Sequence, residues 1–172
     1  VNQGKMPKDR IPHGNGVYQN WQEYVGHNFR MTEFAAIMGI TQLNRLDDFV
    51  KSRIETAKLY YEKLEDVQSI ELLPIAEKVV HNYYKIYAFL GNDIDRIKMY
   101  KDLKELGISL GGMTYEIPLH MVPAFKKYYK HSLPNSEKLC ERHICPPIYY
   151  DMKVDEVDRV CDILKDWLSR NS

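Results

Sequence analysis

Asn28 and Arg30 stand two residues apart in Gly26-His27-Asn28-Phe29-Arg30-Met31-Thr32-Glu33, a polar segment that runs straight into a helical pattern at Phe34. An amide and a guanidinium at a loop-to-helix junction suit an anion, because the free N–H groups of a helix start already favour negative charge. The amide donates without adding charge, and the guanidinium adds a planar, forked cation. His81, Tyr115 and His120 are the other candidates. Each residue also has a structural reading. Asn28 could be a turn residue with local backbone bonds, and Arg30 an ion-pair or interface residue. His81, beside a strand, reads as a satisfied structural histidine, and His120, after Pro118-Leu119, as a turn cap. His13 and His27 have no ligand partner at metal spacing, and neither HExxH nor a Cys/His cluster occurs, so no metal site is expected. Lys126, Lys127, Lys130 and His131 read as a solvated helix face.

The elements that must position these residues can be read from periodicity. Residues 1–31 show none. Pro7, Pro12, Gly14, Gly16 and Gly26 punctuate a segment that also carries Tyr18, Trp21, Tyr24 and Phe29. An arm this aromatic is expected to pack on another surface. Thr32 is the expected N-cap of the next element. From Phe34 to Leu64 the apolar residues step by threes and fours, which predicts one helix of about 45 Å, bent near Gly39 and long enough to bridge two bodies. Short strands are expected at Ser69–Ile75 and Tyr83–Leu90, then a helix from Asp93 or Asp95 to Leu106 closed by Gly107. A strand at Ile108–Met113, a helix from Pro123 to Tyr129, another from Asn135 or Ser136 to Arg142, an edge strand at Ile144–Ile148 and a terminal helix through Val157–Leu168 follow. The pattern predicts an α/β chain with an α+β small domain, its long bridging helix and flanking helices packed on a small mixed sheet. Residues 1–33 read as an arm, and 34–172 as the linking helix plus the small domain.

A chain of 172 residues can bury a real core. With 24 Lys and Arg against 24 Asp and Glu, affinity built mainly on neutralising phosphates is not expected. Cys140, Cys145 and Cys161 are odd in number and lack CxxC spacing. Cys161 falls on an apolar helical stripe, so free thiols and a cytoplasmic location are expected. No run approaches the length of a membrane span, and the first residues have no signal-peptide core. A chain opening on Val1 reads as trimmed or as a piece of a longer one.

Four blocks in order resemble the DegT/DnrJ/StrS family of sugar aminotransferases that use pyridoxal 5'-phosphate (PLP). They are Gly26 to Leu46 continuing into Arg53, Ala57, Tyr60 and Leu64; His81-Asn82-Tyr83-Tyr84-Lys85-Ile86-Tyr87; Leu103 to Ile108 with Tyr115, Pro118, Leu119 and His120; and Ile144 to Ile148 with Val157 to Val160. The resemblance implies the C-terminal part of a fold-type-I transferase. It implies an enzyme that moves an amino group, usually from glutamate, to a nucleotide-linked keto sugar in polysaccharide or amino-sugar biosynthesis. It implies a homodimer in which Asn28 reaches the PLP phosphate of the neighbouring subunit, with Arg30, Tyr115, His120 and His81 near the substrate. The Schiff-base lysine is implied farther upstream than the 27 residues that precede Asn28. The chain would then need a large N-terminal domain as partner and would be inactive alone.

Two rival readings stand beside this one. The missing lysine fits a non-catalytic assembly or regulatory fragment. Ala35 to Leu46 mimics a helix-turn-helix with its turn at Gly39. Against nucleic acid, Asp47-Asp48 would face phosphates, and the helical period runs on to Leu64.

Overall fold

A computed structural model of the chain describes residues 27, 29–112 and 115–171. Asn28 and the arm residues Tyr18, Trp21 and Tyr24 lie outside the described residues. The chain divides into two compact units, Val1–Leu46 and Asp47–Ser172.

In the first unit Thr32 caps helix α1, Glu33–Leu43, its Oγ1 accepting from the Ala35 N–H at 3.2 Å. The expected single helix from Phe34 to Leu64 does not form. Helix α1 runs unbroken through Gly39 and ends at Asn44, where the Arg45 N–H turns back onto the Gln42 carbonyl at 3.1 Å. A second helix, α2, then runs Leu46–Leu64. Asp47 and Asp48 fall in its first turn, where carboxylates complement the positive helix end and favour a fresh start over continuation. Helix α1 is apolar yet contributes no buried residue: Phe34 is 84% exposed, and Ile37, Met38, Ile40 and Leu43 are also exposed.

In the second unit three short strands, β1 (Ile70–Leu72), β2 (Ala88–Leu90) and β3 (His143–Ile144), pair in the order β1-β2-β3. Both ladders are antiparallel, where a mixed sheet was expected. Gly111 adds a single antiparallel bridge to Cys145 in place of the expected strand Ile108–Met113. Gly112 next to it has φ +106°, which ends the extended path. The expected strand Tyr83–Leu90 shrinks to its last three residues because 83–84 form a turn. Tyr83 has φ +45°; its N–H donates to His81 Nδ1 at 2.9 Å, and the Tyr84 N–H donates to Asn82 Oδ1 at 3.1 Å. Arg53 Nη1 on α2 donates to the Tyr83, Tyr84 and Ile148 carbonyls at 3.1, 3.4 and 3.3 Å, so those acceptors are engaged outside the sheet. Pro146 and Pro147 end the β3 segment, as their missing N–H requires.

Helices α3 (Arg96–Glu105), α4 (Pro134–Arg142) and α5 (Val154–Asn171) complete the unit. Asp95 caps α3 by accepting from the Lys98 N–H at 2.9 Å, and Gly107, at φ +79°, closes it. No helix forms from Pro123 to Tyr129. A 3-10 turn at Leu119–Met121 and further turns replace it. One core holds the unit: Tyr60 and Leu64 of α2, Met99 and Leu103 of α3, and Val157, Leu164 and Leu168 of α5 close over Ile86, Ala88, Leu90 and Ile144. The Tyr60 hydroxyl donates to the Pro147 carbonyl at 2.9 Å, which removes the cost of burying it unpaired.

Candidate functional site

Burial alternates along 85–90. Ile86, Ala88 and Leu90 are buried in the core, while Lys85, Tyr87 and Phe89 are half-buried on the opposite face. Phe89 pairs with His143 of β3, and the Leu73 N–H donates to the Tyr87 carbonyl at 3.1 Å. These pairings gather Leu73, Tyr87, Phe89 and His143, with Tyr115 and the Leu139–Cys140 end of α4, around a concavity of about 420 Å³. The Tyr115 and Tyr87 rings lie 6.4 and 6.3 Å from the His143 ring. The Lys85 ammonium lies over Tyr115, 5.3 Å from the ring centre, and 5.8 Å from that of Tyr84. Burial pushes the Tyr87 hydroxyl up from its ordinary value, with Cys145, Tyr115 and Tyr84 adding to it. Burial also pushes the Cys145 thiol up, against the opposing charge of Lys85.

His143 is 4% exposed and belongs to the frame of this face. Its Nδ1 faces the Leu139 and Cys140 carbonyls at 3.0 and 3.1 Å, and its Nε2 faces the Gly112 carbonyl at 2.9 Å. The Arg96 guanidinium binds the Cys140 and His143 carbonyls at 2.8 and 3.3 Å from behind. Tyr100 donates to the Gly111 carbonyl. A Cβ on Gly112 would meet the His143 ring and the Tyr100 hydroxyl at 3.1 Å, in a backbone conformation that side chains rarely adopt. Gly112→Ala is therefore expected to destabilise the unit by about 1–3 kcal/mol, measured as a lower urea midpoint with unchanged slope.

His120 takes part in a second constellation. Its side chain is 9% exposed, with Nε2 3.0 Å from Glu137 Oε1. Its Nδ1 is buried and has no hydrogen-bond partner among the described residues. Glu137 also accepts from the Leu133 N–H at 2.7 Å and the Ser132 hydroxyl at 2.9 Å. The Leu133 backbone bond, then Ser132 and His120, hold its carboxyl below the usual carboxylate range. Lys126, Lys130 and His131 line a concavity of about 350 Å³ beside this pair, so the basic spot forms the wall of a hollow and no helix.

The structure does not bring His81, Tyr115 and His120 into one concavity. Tyr115 lines the aromatic one and His120 the basic one, while His81 shapes the 83–84 turn with its ring edge-on to Tyr83. Arg30 is exposed, two residues before the α1 cap. Lys85, His143, Gly112 and Glu137 were not singled out by sequence reasoning. The alternation of Lys85, Tyr87 and Phe89 was the available signal for the first; the others depend on contacts far apart in sequence. Among the described residues no group of three or more His, Cys, Asp or Glu could hold a metal, and no helix is long and apolar enough to cross a membrane.

The profile of the DegT/DnrJ/EryC1/StrS aminotransferase family matches residues 11–165. The chain belongs to that family. Its members use PLP, and one relative, from Bacillus subtilis, is named a putative pyridoxal phosphate-dependent aminotransferase. Among relatives, uncharacterized protein MJ1066 of Methanocaldococcus jannaschii is 35% identical over 153 residues, 85% of this chain and 39% of that protein. GDP-perosamine synthase of Escherichia coli O157:H7 is 27% identical over 175 residues, 98% of this chain and 46% of that enzyme. The crystal structure of aminotransferase TlmJ from Streptoalloteichus hindustanus superposes with a TM-score of 0.76 at 25% identity, covering 86% of this chain and 39% of that one. Helicobacter pylori PseC shares the fold at a TM-score of 0.81 and 16% identity, over 98% of this chain and 44% of that one. The chain thus spans less than half the length of each of these proteins.

A family cofactor invites a test of fit. PLP needs a lysine amine for the Schiff base, a carboxylate for its pyridine nitrogen and donors for its phosphate. In the larger unit Lys126 and Lys130 line a concavity beside the carboxylate of Glu137. Both are exposed, and Glu137 is already engaged by three donors. Lys126, Lys130 and Glu137 therefore do not fit the group.

Proposed function

We propose that this chain is the C-terminal portion of a PLP-dependent aminotransferase that moves an amino group, from glutamate, to a keto sugar carried on a nucleotide. The observation that carries the reading is the family match through residues 11–165 in a chain spanning 46% or less of the relatives named above. Relatives named GDP-perosamine synthase and dTDP-4-amino-4,6-dideoxy-D-glucose transaminase support the nucleotide-sugar substrate. On this reading the Schiff-base lysine and the pyridine carboxylate belong to a large domain upstream, and the chain is inactive without it. Residues 1–33 are an arm of that domain, and residues 34–172 are the linking helices plus the small domain. The exposed apolar residues of α1 support this, because an apolar face that size is normally covered. The enzyme works as a cytoplasmic homodimer, with Asn28 donating to the cofactor phosphate across the interface and Arg30, Tyr115, His120 and His81 bordering the substrate. DNA binding is disfavoured because α1 runs unbroken through Gly39, where a helix-turn-helix would turn, and because Asp47 and Asp48 would face phosphates.

The assignment of Asn28 has a direct test. In a reconstituted dimer, Asn28→Ala should weaken PLP retention by one charge-assisted hydrogen bond, about 1.5–3 kcal/mol, measured by equilibrium dialysis. Unchanged retention in an active dimer would remove the phosphate role.

A further inference from the structure

Lys85 is a half-buried cation with no carboxylate within ion-pair distance among the described residues. Other lysines show the contrast: Lys63 pairs with Asp158, Lys98 with Asp102 and Lys153 with Asp151. The Lys85 ammonium is held instead over the faces of Tyr84 and Tyr115, contacts that replace only part of the water it has lost. Its backbone is fixed by the turn that His81, Asn82 and Arg53 build just before it. Tyr115 is at once the ring beneath the ammonium and a wall of the 420 Å³ concavity. That volume is in the range of small-molecule sites, and Tyr87, Phe89, Tyr115 and His143 give it flat faces. A positioned cation at the rim of an aromatic hollow suits a ligand with a flat body and an attached oxyanion.

We propose that Lys85 and the aromatic concavity bind a nucleoside diphosphate, the diphosphate meeting Lys85 and the base stacking on the rings beneath it. This rests on the nucleotide-sugar reading above and names the part of the substrate that this face takes. Lys85 is then the residue that selects substrates carrying a diphosphate. The ammonium gains a counter-charge that no carboxylate among the described residues supplies, and the base covers the apolar faces of the rings.

The test is calorimetric titration of the 172-residue chain with GDP, dTDP, guanosine, pyrophosphate and glutamate, for the wild type and for Lys85→Met, Lys85→Arg and Tyr115→Ala. Thermal melts check that each variant is folded, and tyrosine fluorescence reports occupancy of the hollow. GDP or dTDP is expected to bind and to quench that fluorescence. Lys85→Met should weaken the nucleotide by about tenfold or more, leave guanosine unchanged, and be rescued in part by Lys85→Arg. Tyr115→Ala should weaken nucleotide and guanosine together. The proposal is overturned if no nucleotide binds, if folded Lys85→Met binds GDP and dTDP as the wild type does, or if glutamate is the ligand that depends on Lys85. Binding is read without turnover, so these outcomes leave the aminotransferase reading to stand or fall on its own assay.

Discussion

Supplied with PLP, glutamate and a nucleotide-linked keto sugar, the chain alone is expected to form no 2-oxoglutarate above a no-protein control. The reason lies in what the cofactor needs. Amino transfer by PLP depends on a lysine that first holds the cofactor and then moves protons at the reacting carbon. Lys126 and Lys130, which share a hollow with Glu137, are exposed, and that carboxylate is engaged by Leu133, Ser132 and His120. The thiols of Cys140, Cys145 and Cys161 offer no substitute, because a Schiff base needs a primary amine. Turnover by the purified chain at rates typical of enzymes would refute the division of labour proposed here.

A second large effect is expected at α1. Replacing Ile37, Ile40 and Leu43 together with glutamate should leave the melting of the larger unit almost unchanged. These side chains are exposed, and α1 contributes nothing buried. The same triple variant should fail to assemble with a lysine-bearing large domain. Covering three such side chains is worth roughly 1.5–3 kcal/mol each, and three carboxylates forced into that contact add their desolvation cost. Size-exclusion chromatography of mixed portions reads the assembly, and calorimetry of the chain alone reads the melting. Assembly that survives the triple change would mean that α1 is not a docking face.

Elements governed by their own residues were legible in the sequence. Helix α5 carries its stripe through Val157, Val160, Cys161, Leu164 and Leu168, and these are among its buried residues. Helix α3 was legible at both ends, from Asp95 to the left-handed Gly107. The turn at 83–84 was not, because tyrosines and isoleucine favour a strand and the deciding contacts come from His81 Nδ1 and from Arg53, thirty residues away. The helix break at Asn44 was hidden because apolar spacing continued across it, while the first-turn carboxylates Asp47 and Asp48 marked it. The family was legible in the four blocks, which lie within or overlap the matched span. Of the site, Tyr115 and His120 were named. Their surroundings were not, because the Phe89–His143 register and the Glu137 contacts exist only once the sheet and α4 are in place.

The measurement that tests the central claim most directly is to trap the cofactor-bearing lysine in a reconstituted enzyme. The chain is mixed with a lysine-bearing large domain of the family, loaded with PLP, reduced with borohydride and mapped by peptide mass spectrometry. The account predicts amino transfer in the mixture, and one stoichiometric adduct that lies on the large domain. An adduct on any lysine of this chain, accompanied by turnover, would contradict it.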